Sequence, residues 1–258
     1  MMVTERKEMF TEELTLLKKI QKYGKEHSTG KLERVEKVKL LLLYRIYSNL
    51  YSSLLLTAQI LKTGKSSFFQ LPIGLLLRCC FTDCLFAIYI QRANKKQVYE
   101  ELDLRTIEYA NSMLERKEVY RDQVIRTGIV YDDAFIDHLW EMTMEDNFLG
   151  LLTLDNNPED MTVRKQSKPE LKDEGFSTTK SINTKNIADF LIRIPELEKV
   201  ATRLYHYYKY FSQYEHFSES GQGDVLASSE KSGNDNIHLP SAIRALSAGV
   251  EIVMNNYG

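Results

Sequence analysis

The stretch that decides the fold is residues 71–93, LPIGLLLRCCFTDCLFAIYIQRA. Wound as an α-helix, this segment has apolar side chains on nearly every face, and a helix that is apolar all round is buried inside a protein. Pro72 suits the first turn of a helix, where its missing N–H has no intrahelical partner to lose. The segment therefore predicts the central helix, residues 71–92, of an all-α protein.

Helical periodicity elsewhere extends this prediction to an up-and-down bundle of about seven helices. Apolar spacing predicts helices at 4–27, 31–62, 95–127, 131–152, 184–193, 195–217 and 239–256. The break before Pro195 follows because the residue that precedes a proline avoids the helical region. Two polar stretches, 155–183 and 218–238, show no sustained period and predict loops. We expect residues 1–258 to form a single domain.

Composition is typical of a soluble globular protein, with 43% hydrophobic and 27% charged residues. The net charge of −2 gives no overall attraction for nucleic acid, although a local basic patch stays open. Two long apolar runs carry charged residues: residues 40–61 contain Arg45, and residues 71–90 contain Arg78 and Asp83. A charge in mid-bilayer costs about 2.5–3.5 kcal/mol, so we expect buried helices of a cytoplasmic protein and no membrane partner.

The three cysteines, Cys79, Cys80 and Cys84, fall in one apolar run with no other cysteine in the chain. We therefore expect no disulfide partner, and these residues are best explained as small side chains packed in a reducing compartment. Glycine-rich phosphate loops and the HExxH and CxxC metal patterns are absent from the sequence. The sequence predicts neither a metal site nor a cofactor.

Residues 205–216, YHYYKYFSQYEH, place Tyr208, Ser212 and His216 four residues apart. On a helix these three form one row of phenol, hydroxyl and imidazole, and histidine can move protons near neutral pH. The competing interpretation is an aromatic core stripe with a hydrogen-bonded histidine. A third, RNA stacking, needs basic residues among the tyrosines, for which Arg203 and Lys209 are candidates.

Arg78 and Asp83 are the charged residues inside the central helix. They are five residues apart, about 140° around a helix, so each is expected to reach a different neighbouring helix rather than the other. A buried guanidinium requires acceptors. Arg78 is therefore either a structural anchor or an anion-binding arginine that lines a cleft.

These residues resemble a branch of the bacterial HEPN (higher eukaryotes and prokaryotes nucleotide-binding) superfamily. A leucine-rich turn with Arg78 and then Asp83 is similar to one of its elements, and Tyr208, Ser212 and His216 match Tyr-x-x-x-Ser-x-x-x-His in another. The resemblance covers residues 68–93 and 184–218. It implies a helical bundle, dimerisation and RNA cleavage in defence or toxin-type systems, although the Arg-x4–6-His motif of many relatives is absent here.

Two functions remain open at this point. In the first, the chain binds or cleaves RNA as a homodimer: Arg78 and His216 are catalytic, while Asp83, Tyr208 and Ser212 bind the substrate. Packing of the central helix against helix 195–217 would bring Arg78 and His216 into one cleft. In the second, the protein is a non-catalytic scaffold in which the arginine, tyrosine, serine and histidine form a buried network that fixes the helix register.

Overall fold

The computed structural model describes residues 2–28, 32–63, 67–105, 152–154, 163–165, 181–212 and 238–255. Its helices are α1 (Met2–His27), α2 (Arg34–Thr63), α3 (Ser67–Arg92), α4 (residues 95–105), α5 (Thr184–Ile192), α6 (Glu198–Ser212) and α7 (His238–Met254). This confirms the all-α prediction. The remainder of the predicted helices 95–127, 131–152 and 195–217 lies outside the described residues, as does most of the predicted loop 218–238.

Two short strands depart from the sequence prediction. β1 (Leu152–Leu154) and β2 (Val163–Lys165) pair antiparallel, with Thr153 opposite Arg164. The sequence predicts a helix that ends at Leu152, the first residue of β1, and a loop at 155–183, where β2 lies. The β-branched residues Thr153 and Val163 favour extended backbone, and a three-residue strand is too short to produce a periodic signal in the sequence.

Contacts divide the chain into two compact units, Met1–Ala93 with Asn183–Gly258, and Asn94–Ile182. The second unit contains α4, where Glu101 accepts hydrogen bonds from the Ile182 amide at 3.1 and 2.9 Å. Arg105 pairs with Glu101 at 2.7 Å and donates to the Ile182 carbonyl at 2.9 Å. These bonds hold Ile182, the last residue of this unit, against α4. The expected single domain stays a prediction.

The first unit is built around α3, as predicted. Residues 83–90 of α3 are buried without interruption, and the helix packs against α2, α5, α6 and α7. Among the described residues, the segment Leu71–Arg92 is also the one helix long and apolar enough to cross a membrane. However, 72% of the 18-residue stretch that meets this test is buried inside the protein. This is the pattern of a helix that is packed in the core of a protein.

The helices around α3 begin and end close to their predicted positions. Asn183 caps α5 by accepting a hydrogen bond from the Asn186 amide at 2.9 Å. The chain then turns through Pro195 before α6 begins at Glu198, which confirms the predicted break. On α7 the predicted apolar stripe is fully buried; its members are Ile243, Leu246, Val250 and Val253.

Gly249 of α7 marks the closest approach of three helices. A Cβ at this position would stand 2.6 Å from Sγ of Cys84 on α3 and 2.9 Å from Cδ1 of Leu204 on α6. Cys84 and Leu204 are both fully buried, so neither can move aside without disturbing the core. The absence of a side chain at Gly249 therefore lets α7 lie directly on α3 and α6.

We predict that Gly249→Ala destabilises the protein by about 1–3 kcal/mol through overpacking, although alanine is the better helix former. Gly24→Ala on α1 is the matched control, because nothing lies within 4 Å of the position its Cβ would take. It should stabilise the protein by up to about 1 kcal/mol. Urea unfolding measures both effects. Equal gains in stability for the two variants would contradict the close contact at Gly249.

Glu13 is a second test of the core. Its side chain lies on α1 with 1% of its surface exposed, and burial raises the pKa of its carboxyl from 4.5 to about 7. The folded state therefore holds a proton that the unfolded chain releases between these two values. The contribution of Glu13 protonation to the free energy of unfolding is fully present below about pH 4.5. It decreases by roughly 3 kcal/mol as the pH rises to about 7.

Glu13→Gln should remove this loss, since glutamine does not titrate. The measurement is the urea midpoint of both proteins from pH 4 to 8, in which the other titrating groups cancel in the difference. We expect the two curves to diverge as the pH rises, with the variant the more stable at pH 8. Parallel curves would show that Glu13 ionises normally in the folded protein.

Candidate functional site

Arg78 and two residues of the predicted row come together between α3 and α6. Arg78 is half-buried in the middle of α3. Its Nε donates to Oγ of Ser212 at 3.2 Å, and its guanidinium carbon lies 5.5 Å from the centre of the Tyr208 ring. Arginine favours this arrangement because its flat, weakly hydrated guanidinium stacks on aromatic faces while its N–H groups donate hydrogen bonds. We call Arg78, Tyr208 and Ser212 the arginine cluster.

Ser212 is oriented by its own helix. Its hydroxyl donates to the Tyr208 carbonyl oxygen at 2.7 Å, the bond to the preceding turn that serine often makes inside helices. Oγ of Ser212 in turn accepts a hydrogen bond from Nε of Arg78. With its proton committed to Tyr208, Ser212 presents a lone pair to Arg78 and acts as the acceptor that the guanidinium needs. The predicted packing of the central helix on the tyrosine-rich helix is thus confirmed.

Stacked aromatic rings join α3 to α6 and extend along α6 to Tyr208 of the arginine cluster. Phe81 of α3 stacks with Tyr207 at 5.7 Å and with Phe211 at 5.9 Å between ring centres. Tyr205 stacks on Tyr208 at 5.8 Å. Phe211 is buried whereas Tyr205 and Tyr208 are half-buried. One side of α6 is therefore core, as the aromatic-stripe interpretation expected, and the Tyr205–Tyr208 pair extends from the cluster toward the surface.

Asp83 faces another neighbour. Its buried carboxylate lies 3.3 Å from Nε of Arg45 on α2, a residue that is largely exposed. The expectation that Arg78 and Asp83 reach different helices is confirmed: the first reaches α6 and the second α2. The structure does not place Asp83 with the arginine cluster, and its role in substrate binding stays a prediction.

His216 lies outside the described residues, which end at Ser212 in this part of the chain. The predicted cleft between Arg78 and His216 is therefore a hypothesis about which the described residues say nothing. Of the other four members of the predicted site, Arg78, Tyr208 and Ser212 lie together, whereas Asp83 lies against Arg45.

The two buried thiols beside the cluster are unreactive. Cys80 and Cys84 are completely buried, and burial, with the nearby Asp83 carboxylate as a second cause, raises the pKa of both thiols well above the ordinary value. Both are therefore protonated at neutral pH, and a protonated thiol is a poor nucleophile and metal ligand. Within the described part of the chain, no three His, Cys, Asp or Glu side chains are grouped so that they could hold a metal ion.

The exposed side of α6 is mostly basic. Three basic residues and a histidine fall within about 120° of the helix circumference at 100° per residue, with exposed Thr202 among them and exposed Glu198 at their edge; they are Lys199, Arg203, Lys209 and His206. Lys209 lies one turn after Tyr205, and so borders the Tyr205–Tyr208 pair. Sequence reasoning noted Arg203 and Lys209 as candidate RNA contacts but did not detect this stripe. Its spacing of four, three and three residues was the signal that could have revealed it.

Comparison with family models, curated proteins and solved structures finds no match for this chain. The resemblance to the HEPN superfamily therefore stays a prediction based on the residues quoted above.

Proposed function

We propose that this protein is an RNA-binding factor in which Arg78 contacts a backbone phosphate. The observation that supports the proposal is the way in which Arg78 is held. Its half-buried guanidinium lies against the Tyr208 ring and is oriented by the hydrogen bond that it donates to Ser212. A guanidinium fixed by two neighbours loses little conformational freedom when it binds a ligand. Its flat array of donors matches the oxygens of a phosphate.

The surface beside the arginine cluster suits a single strand of RNA. Proteins that bind single strands combine aromatic faces for the bases with cations that follow the backbone. The half-buried pair Tyr205 and Tyr208 offers the first, and Lys209 with the rest of the α6 stripe offers the second. Because the whole chain has a net charge of −2, the attraction for RNA would be local to this surface.

RNA cleavage is a further part of the proposal, and it is supported by the resemblance to HEPN ribonucleases. Arg78 would stabilise the charge that develops on the phosphate, and His216 would act as the general acid or base. A homodimer, a cytoplasmic location and a role in bacterial defence or toxin-type systems belong to the same proposal.

A non-catalytic scaffold is the second candidate, and the bonding of Ser212 favours it. The Ser212 hydroxyl is engaged by the protein on both sides, by Arg78 and by the Tyr208 carbonyl. A polar contact of this kind ties α3 to α6 at one register, because sliding either helix would leave part-buried polar groups without partners. The two candidates differ in whether removal of the guanidinium affects RNA binding or stability.

Arg78→Gln should weaken binding of fluorescein-labelled 20-nucleotide poly-U RNA about tenfold and reduce the salt dependence of log K by roughly one phosphate contact. Fluorescence anisotropy from 50 to 200 mM salt measures this. Lys18→Gln, an exposed charge on α1, is the matched control and should bind like wild type. Absence of binding by wild type, or a loss of stability in Arg78→Gln with RNA affinity unchanged, would favour the scaffold.

His216→Ala separates cleavage from binding. If histidine is the general acid or base, the variant should cleave RNA about 10²–10⁴-fold more slowly while its affinity for RNA is retained. The measurement is gel electrophoresis of labelled RNA after incubation with each purified protein. Equal cleavage by both proteins, or none by either, would reject the enzyme for the RNAs tried and leave the binding proposal standing.

A further inference from the structure

An apolar groove runs between α1 and α2, away from the arginine cluster. It encloses about 600 Å³, within the range of ligand-binding sites in proteins. Ile20 of α1 and Leu40, Tyr44 and Tyr47 of α2 contribute to its apolar lining. Lys25 and Lys37 also line it, and among the described residues that do so none is acidic. We call this surface the α1–α2 groove.

Gly24 opens this groove. It lies inside α1, where glycine disfavours the helix relative to alanine. No neighbouring element accounts for the glycine, because no atom lies within 4 Å of the position that its Cβ would take. Gly24 is itself one of the groove-lining residues. Because Gly24 lines the groove and the space around the position of its Cβ is open, a longer side chain here would occupy space at the groove. Gly249 differs, because its missing side chain lets α7 lie on both α3 and α6.

The apolar surface continues out of the groove along α2. Leu41 is 61% exposed, Tyr44 67%, Tyr51 45% and Leu55 49%. Their spacing of three, seven and four residues places them on one face over a length of about 21 Å. A small molecule that filled the groove would leave Tyr51 and Leu55 uncovered. An amphipathic helix laid along α2 would cover the groove and the whole stripe, with anchors at helical spacing.

The charged side chains around the groove indicate which kind of partner helix would bind there. Lys25 and Lys37, the charged residues that line the groove, are both basic. Further along α2, Arg45, which pairs with Asp83, and Lys62 are exposed. Glu36, the acidic residue of α2, pairs with Lys39 and lies about 140° around the helix from Leu41. Pairing of α2 with the same face of a second copy would set these cations against one another, which disfavours a symmetric dimer through this face. Acidic residues flanking the apolar anchors of a partner would complement them.

We infer that the α1–α2 groove is a docking site for an amphipathic helix of a partner protein, with an apolar face and acidic flanks. The groove receives the apolar anchors at the end of the helix near Gly24, and the stripe from Leu41 to Leu55 receives those that follow. Lys25 and Lys37 contact the acidic flank. The inference does not depend on RNA binding, because no residue of the arginine cluster or the α6 stripe takes part.

The test uses two labelled 18-residue peptides with leucine at positions i, i+3, i+4 and i+7 of each repeat. One carries glutamate on its flanks and the other carries lysine at the same positions. Fluorescence anisotropy with the full-length protein should show binding of the glutamate peptide and at least tenfold weaker binding of the lysine peptide. Equal binding of both peptides, or no binding of the glutamate peptide, would overturn the inference.

Two variants locate the binding surface. Gly24→Leu fills the groove and should weaken glutamate-peptide binding at least tenfold while the urea midpoint is unchanged or raised. Lys37→Glu should weaken the glutamate peptide and strengthen the lysine peptide. Lys18→Leu adds the same apolar side chain at an exposed site of α1 that does not line the groove, and should bind like wild type.

Other occupants give different results in the same assay. If the groove holds a fatty acid, oleate binds and Gly24→Leu abolishes that binding, while the peptides do not compete. If it holds a second copy of the chain, light scattering shows a wild-type dimer that Gly24→Leu converts to monomer. If it contacts a membrane, anionic vesicles bind and the glutamate peptide does not. Each of these three outcomes overturns docking of an acidic helix.

Discussion

Burial of the apolar surface of α3, complete from residue 83 to residue 90, is the constraint on which the first compact unit depends. A helix with apolar side chains around its whole circumference must be enclosed, because every Å² of apolar surface left in water costs about 25 cal/mol of folding free energy. Here α2, α5, α6 and α7 supply the enclosure. Gly249 brings α7 into contact with Cys84, and the rings of Tyr207 and Phe211 pack on Phe81. These four helices are placed by the need to cover α3, whereas α1 packs on α2 and α7.

That enclosure makes the two charges of α3 informative. Arg78 and Asp83 occupy a helix that offers them little water, so each requires a partner on a neighbouring helix. Arg78 is met by Ser212 and the Tyr208 ring, and Asp83 by Arg45. Because Arg78 remains half-buried whereas Asp83 is almost fully buried, the arginine is the member of the pair that can serve a ligand.

The sequence was sufficient for features that depend on local pattern. The all-apolar run at 71–92 predicted the central helix, Pro195 predicted the break before α6, and the stripe ending at Val253 predicted the buried face of α7. The contact between Arg78 and Ser212 does not follow from local pattern. It required the hypothesis that the central helix packs against a helix more than a hundred residues later in the chain. Features that arise only from three-dimensional approach were not predictable: Gly24 and Gly249 look alike in sequence, yet one faces open space and the other touches two helices.

The enclosure of α3 also has a consequence for synthesis on the ribosome. α3 ends at Arg92, but three of the helices that cover it begin at Thr184 or later. At 5–20 residues per second the ribosome takes on the order of 5–20 s to make the intervening segment, and longer to make α6 and α7. During that interval, α2 is the one member of the four covering helices that has been made. The nascent chain therefore lacks three of the four helices that cover its apolar central helix until its C-terminal part emerges, and it should be a substrate for ribosome-associated chaperones.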